Sequence, residues 1–435
     1  MSFDIAVGMS GDQLNAALAA VYDEVYPDLF TGSYQVEYAG LMFTVGIDVK
    51  EPPKFDLRPI APAPALAREL TARIEAEPGA EAEPQGGPAG ERGPGKDEII
   101  AAVAEAYPSF TVVLPASALT FSNGVTSTLT LTLTAYCYLE NGPGPISFVP
   151  YSVTAPEQLD PVNNYFVQDI VLPHIKTMLT QVLAGVTIPP IEVANVPLSP
   201  PSIGIADDYV IAAANLASSG TPPPPDGSFP WPSTPFFALL GPNLIQQLGV
   251  LAASSATNNF SDSGGGGDYW GGYDWEYGLS LTDPSPTIQD NDVEFAFTLR
   301  GTVSAGVHVA ILSIDLGFNA YAEPDPRANI SLSIDADQLV LVAQSVAPFT
   351  IFVTPNTVPT WVFGWLITAI VNCVTVSLTP LITEFLKNIR LDSYAIPTYS
   401  VSVAGKNLRL TPVNLSVGNA GGMIGVAGNV TITSG

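Results

Sequence analysis

The sequence predicts an α+β chain built twice over, each half combining a strongly curved antiparallel sheet with a long helix. Three observations predict this: long runs of period-two alternation, two apolar helices with a proline at the same place, and phrases that recur in order on either side of a proline-rich break.

Each half is expected to open with an amphipathic helix. Ser10 and Gln13 form a capping-box pattern ahead of Leu14, Ala17, Leu18, Val21 and Val25. In the second half Thr234-Pro235 precedes Phe237, Leu240, Leu244, Leu248 and Leu251, so a helix is expected from that point. Tyr34-Gln-Val-Glu-Tyr38 and Tyr273-Asp-Trp-Glu-Tyr277 then read as matching entries into strands. Between Val125 and Leu139, threonines occupy one face and Leu129, Leu131, Leu133, Ala135 and Cys137 the other; Phe295, Phe297 and Leu299 repeat the pattern. Such alternation belongs to antiparallel sheet with one dry face. Its parity slips between Ile311 and Leu312, where a strand-bending bulge is expected.

Asp160-Pro161 supplies an N-cap and a first-turn proline for a helix reaching about Gly185, with a kink at Pro173. A second helix is expected from about Pro359 to Arg390, with Pro380 in the equivalent place. Laying Pro173 on Pro380 superposes Ile175 on Ile382, Met178 on Phe385, Leu179 on Leu386 and Val182 on Ile389. An internal duplication follows. Its expected parts are a first repeat at 1–217, a Pro-rich linker at 218–232 and a second repeat at 233–435. Residues 51–98, rich in Pro, Gly, Ala and Glu, read as a disordered insertion in the first repeat.

Composition narrows the function. Of 435 residues 47% are hydrophobic and 13% charged, so much apolar surface must be hidden. A net charge of −27 repels phosphate backbones and anionic headgroups, which excludes nucleic acid as a partner. Two cysteines, one in each half, make no disulfide scaffold. Met1 to Gly11 lacks the basic start and apolar stretch of a secretory signal, so a cytoplasmic protein is expected, with any release by another route. The uncharged run from Trp361 to Ile382 is long enough to span a bilayer. Its first-half counterpart carries Asp169, His174 and Lys176, so both helices are expected inside the protein, without stable transmembrane insertion.

Catalytic patterns are missing. His174 and His308 accompany no nucleophile elbow and no metal-ligand cluster. Gly418, Gly421, Gly422 and Gly425 do not form a dinucleotide fingerprint. Asp290, Asp292 and Glu294, like Asp335 and Asp337, lack a calcium loop around them and read as solvated turn residues. No enzyme activity, cofactor or metal is expected.

With its phrases, its Pro-kinked helices and its closing run from Leu410 to Ile432, the chain resembles the tubular lipid-binding (TULIP) superfamily, in the two-barrel layout of bactericidal/permeability-increasing protein. In style it is similar to the bacterial forty-seven-kilodalton accessory proteins of clostridial neurotoxin clusters. The resemblance implies a duplicated elongated fold in which each sheet wraps around a long helix, leaving an apolar groove between them. It implies binding or transport of a lipid or similar apolar molecule. The alternative is an accessory protein with filled barrels whose surface docks a protein partner. Lipopolysaccharide-binding members are cationic and this chain is not, so an anionic glycolipid headgroup is not expected.

The residues expected to line the groove are Leu129, Leu131, Leu133, Phe166, Ile170, Leu179, Phe295, Phe297, Trp361, Phe363, Trp365, Leu366, Ile370, Leu378 and Phe385. Each also fits plain core packing. Against an acyl chain, each buried methylene would contribute about 0.8 kcal/mol. Replacing Leu131 or Phe297 with aspartate should abolish either folding or lipid uptake, and a circular dichroism spectrum separates these two outcomes.

Overall fold

The computed structural model describes residues 3–76, 96–122, 126–141, 146–155, 159–188, 191, 193, 196–255, 259–268, 271–289, 292–309, 312–335, 338–357, 364–387, 390–395, 399–403 and 406–434. Its α-helices are α1 (Gly11–Val25), α2 (Pro64–Ala76), α3 (Lys96–Ala106), α4 (Pro161–Tyr165), α5 (Leu172–Ala184), α6 (Pro242–Ser255) and α7 (Gly364–Lys387). Three antiparallel sheets make up most of the remainder.

The central sheet is built from both ends of the chain and from its middle. Its strands run in the order Tyr399–Val403, Lys406–Ala420, Met423–Ser434, Phe236–Leu240, Ile5–Ser10, Tyr209–Ala214 and Ser202–Ala206. In the middle pair Ile5 lies opposite Leu240, Val7 opposite Ala238 and Met9 opposite Phe236. Side chains alternate between two apolar clusters: Ile5, Val7, Met9, Phe236, Ala238 and Leu240 enter the larger one, while Ala6, Phe237 and Leu239 enter a smaller one with Phe3 and Phe229. Gly8 is required where it stands, because a methyl group there would overlap the Phe237 ring.

Phe236–Leu240 is therefore a strand, and the helix expected from Phe237 begins only at Pro242. A strand buried on both faces is apolar at every position, so it loses the alternation that would distinguish it from a buried helix. The Pro-rich stretch before it is anchored at points, with Pro222, Pro225 and Phe229 buried between more exposed residues. Phe229 and Trp231 lie 4.3 Å apart between ring centroids, Trp231 stacks on Phe3 and Phe237, and Gly204 leaves room for the Pro225 carbonyl.

The first sheet runs Thr31–Tyr38, Leu41–Val49, Ser109–Ser122, Thr126–Glu140, Ile146–Thr154 and Thr187–Ile188, with Lys54–Ile60 paired to Ser109–Ser122 beside this path. The second runs Asn259–Asp268, Gly271–Gln289, Asp292–Val309, Arg327–Asp335, Gln338–Val346 and Arg390–Ala395; Leu312–Glu323 and Thr350–Thr357 branch from it. Registers shift between Leu114 and Ser117 and between Tyr136 and Cys137 in the first sheet, and between Thr282 and Ser285 in the second. Each such bulge adds local twist and curls the sheet.

Several expectations need correcting. The parity slip at Ile311/Leu312 marks a chain reversal: Val309 lies opposite Leu312 and Val307 opposite Ile314, so odd positions before it and even positions after it share a face. The two tyrosine phrases are not equivalent in place. Tyr34–Tyr38 lies on an edge strand, whereas Tyr273–Tyr277 lies on the second strand of its sheet.

Residues 51–98 are ordered in part, because average composition concealed two short apolar patterns. Phe55 and Leu57 are buried at strand spacing, and Leu66, Ala67 and Leu70 are buried at helical spacing against Val103 and Tyr138. Residues 77–95 of that stretch lie outside the described residues. No described helix is long and apolar enough to cross a membrane.

One polar group ties the chain's first strand to distant segments. The Asp4 carboxylate, 3% exposed, accepts hydrogen bonds from the Leu216 N–H at 2.7 Å and Asn243 Nδ2 at 3.0 Å. Truncating it takes a charged acceptor away from two part-buried hydrogen bonds. Asp4→Ala should lower unfolding stability by about 2–3 kcal/mol, read from urea denaturation midpoints at unchanged slope.

Candidate functional site

The site is assembled from the helical segment 160–184 and the first sheet. Asp160 caps α4 by accepting from the Val162 and Asn163 N–H groups, both at 3.1 Å. A π-helical stretch, Phe166–Val171, then joins α4 to α5. Pro173 lacks an N–H and crowds the carbonyl four residues back, and the wider π turn just before it relieves that crowding. The wide turn brings Phe166, Val167, Ile170 and Val171 all into the interior, and α5 continues the buried face with Ile175, Met178, Leu179, Val182 and Leu183.

The facing wall is the dry side of the first sheet: Phe43, Val45, Ile47 and Val49, then Leu114, Leu119 and Phe121, then Leu131, Leu133, Ala135 and Cys137. Cys137 is enclosed so fully that burial pushes its thiol pKa far up, leaving it inert. Tyr22 donates its hydroxyl to the Val49 carbonyl at 2.9 Å, and burial together with nearby acids pushes its pKa up to about 12.

One end and one side of this interior are closed by aromatic rings. Phe166 stands 4.9 Å from Phe43, 5.3 Å from Phe121 and 5.6 Å from Tyr38 between ring centroids. Along the seam between the edge strand Thr31–Tyr38 and the helix, Tyr38 meets Tyr165 at 4.6 Å and Tyr34 stacks on His174 at 3.6 Å, with planes 13° apart. Among the described residues no hydrogen bond joins that strand to the helix. Exposure falls inward from the hairpin tip, where Leu41 and Met42 are 59% and 60% exposed, through half-buried Tyr34, Val36 and Tyr38 to buried Phe43.

In the second half, Phe295 and Phe297 are buried on one strand at 6.1 Å, and Gly249 of α6 lets that helix approach Phe295. Leu378, Ile382 and Leu386 form the buried face of α7, and Phe385 meets Phe260 edge to face at 5.3 Å.

Of the residues expected to line a groove, Leu131, Leu133, Phe166, Ile170, Leu179, Phe295, Phe297 and Leu378 are buried within one continuous apolar cluster, and Leu129 and Phe385 pack half-buried against it. Trp361 and Phe363 lie outside the described residues, and Trp365, Leu366 and Ile370 are described only as backbone positions of α7. Tyr34, Tyr38, Phe121, Tyr165 and Ser117 were not expected at the site. Phe121 and Ser117 could have been found from the parity change after Leu114-Pro115.

Several polar surface groups pair with each other. His308 lies 2.9 Å from Asp274 on exposed strands, Asp292 accepts from Ser331 at 2.6 Å and Glu294 from Arg327 at 2.9 Å. The described residues hold no group of three potential metal ligands. A separate cleft of about 430 Å³ lies on the outer face of the first sheet beneath α2, lined among others by Leu66, Glu69, Tyr138, Tyr151 and Lys176.

Curled antiparallel sheets with apolar inner faces, joined through a shared central sheet, define the class of this protein as a β-rich chain with a dry interior. Among solved structures, it is similar over 99% of both chains to lipopolysaccharide binding protein, at 10% identity and a TM-score of 0.35. It is similar to P47 from Clostridium botulinum A2 over 98% of this chain and 97% of that one, at 10% identity and 0.47, and to P47 of Clostridium botulinum E1 over 99% of both, at 9% and 0.49. No family model and no curated protein sequence matches. Likeness at this level transfers neither ligand nor activity.

Phe166→Ala, removing the ring on which four others converge, should cost about 3–5 kcal/mol. Asp160→Ala, removing only the cap, should cost about 1 kcal/mol. Thermal melts of the two variants side by side check both the size and the order.

Proposed function

We propose that the chain is a non-enzymatic binder or carrier of a lipid or similar apolar small molecule, held between the helix and the dry face of the sheet. The observation that supports it most is the seam. Backbone ladders hold the rest of the first sheet, whereas the seam beside α5 is closed by the Tyr34–His174 and Tyr38–Tyr165 ring contacts. A ring contact contributes roughly 0.5–1.5 kcal/mol beyond its area burial and re-forms without strand repair. Behind it lies continuous apolar surface, where an acyl chain would gain about 0.8 kcal/mol per buried methylene. His174 is used in the seam and His308 sits with Asp274 at the surface, so neither is given an acid–base role in this reading.

The same reading takes the chain as two repeats, 1–217 and 233–435, separated by the Pro-rich segment. Val7 and Ala238 each stand four residues before the first residue of a helix, α1 and α6, and they face one another across the middle pair. A local two-fold arrangement of the two chain starts accounts for that register.

A second reading, filled barrels with a surface that docks a protein partner, draws support from the full burial of Leu131, Leu133 and Phe166, and from Val376 on α7, which is 72% exposed. A chemical cross-link decides between them. Tyr34→Cys with His174→Cys, joined by a short thiol-reactive linker in a background lacking Cys373, should stop uptake of a fluorescent fatty-acid analogue. The same variant without linker should take it up. Uptake that is absent in both forms and in the parent protein favours the docking reading.

A further inference from the structure

We infer that the interior of the first repeat is built for an acyl chain carrying an uncharged oxygen, a hydroxyl or carbonyl set away from any head group, which hydrogen-bonds Ser117 Oγ. The inference rests on the lipid-binding reading above and specifies its ligand. It starts from the bulge between Leu114 and Ser117. Before the bulge Phe110, Val112 and Leu114 point inward; after it Leu119 and Phe121 do, so the bulge turns Ser117 onto the dry face. There Ser117 is fully buried, paired across the sheet with Leu131 on one side and Val49 on the other, and both of these are buried apolar residues.

Its hydroxyl has no hydrogen-bond partner within the protein. Among the described residues one other side chain shares this condition, Thr375, on α7 one turn before the buried Leu378. Buried hydroxyls are normally paired, and one that is not signals a missing partner. Two backbone carbonyls at the bulge are already engaged: that of Pro115 accepts from Thr132 Oγ1 and that of Ala116 from the Lys50 N–H, each at 2.9 Å. An ordered buried water makes about three hydrogen bonds, and this apolar surrounding offers the Ser117 hydroxyl and little else. A ligand oxygen carried on a hydrocarbon chain satisfies the hydroxyl while burying its neighbours. The oxygen must be neutral, because a carboxylate placed there would be desolvated without a counter-ion.

The test compares stearic acid with a set of monohydroxystearic acids, measured by displacement of a fluorescent fatty-acid analogue from the delipidated full-length protein. At least one hydroxy acid should bind about five- to tenfold more tightly than stearate, the range one buried hydrogen bond supplies. Ser117→Ala should abolish that preference, so that the hydroxy acids and stearate bind alike, Ser117→Thr should retain it, and ligand-free Ser117→Ala should melt higher than the parent. Equal affinity for all the acids in the parent protein, or a preference that survives in Ser117→Ala, overturns the inference while leaving lipid binding intact. If stearate and every hydroxy acid fail to displace the analogue, the lipid-binding reading falls with it.

Discussion

The pairing of Ile5–Ser10 with Phe236–Leu240 is the constraint on which the rest of the structure depends. Ten paired positions, apolar but for Gly8, are hidden on both faces, one against the large core and the other against Phe3, Phe229 and Trp231. Because the two strands pair antiparallel, the helices that follow them, α1 and α6, start from opposite ends of the pair. A one-residue slip would exchange the two faces and set the Phe237 ring against a residue other than Gly8. The Pro-rich segment supports the pair by covering one face, with Pro225 against Gly204 and Trp231 against Phe237.

Outward from that pair, local irregularities shape the interior. The bulge at Leu114/Ser117 reverses which residues of one long strand face inward, and the π turn before Pro173 swings Phe166 and Ile170 to the same side. Both devices interrupt regular hydrogen bonding where the inner wall needs particular side chains. The result is a wall of leucine, valine and phenylalanine closed on one side by stacked rings, a boundary weaker than a strand ladder.

Much of this was legible in the sequence where one face alone is buried. The alternation of Leu129, Leu131 and Leu133, the caps at Ser10 and Asp160, and the buried face shared by Ile175 and Ile382 follow from periodicity and capping chemistry acting locally. What escaped has physical causes. Phe236–Leu240 is buried on two faces and so shows no period; Val309 and Leu312 flank a reversal that mimics a bulge; Phe55, Leu57 and Leu70 sit in a stretch whose average composition is polar. Ring pairs such as Tyr34–His174 join residues 140 positions apart, and no local signal announces them.

The chain is strongly acidic with few cations, and among the described residues its large apolar side chains are mostly buried. The proposed function requires that this interior hold an apolar molecule. Native mass spectrometry of the purified full-length protein, followed by organic extraction, tests it most directly. A discrete mass excess that extraction removes and that reappears on adding lipid is expected. A protein of bare sequence mass that gains none after incubation with fatty acids and phospholipids would contradict it.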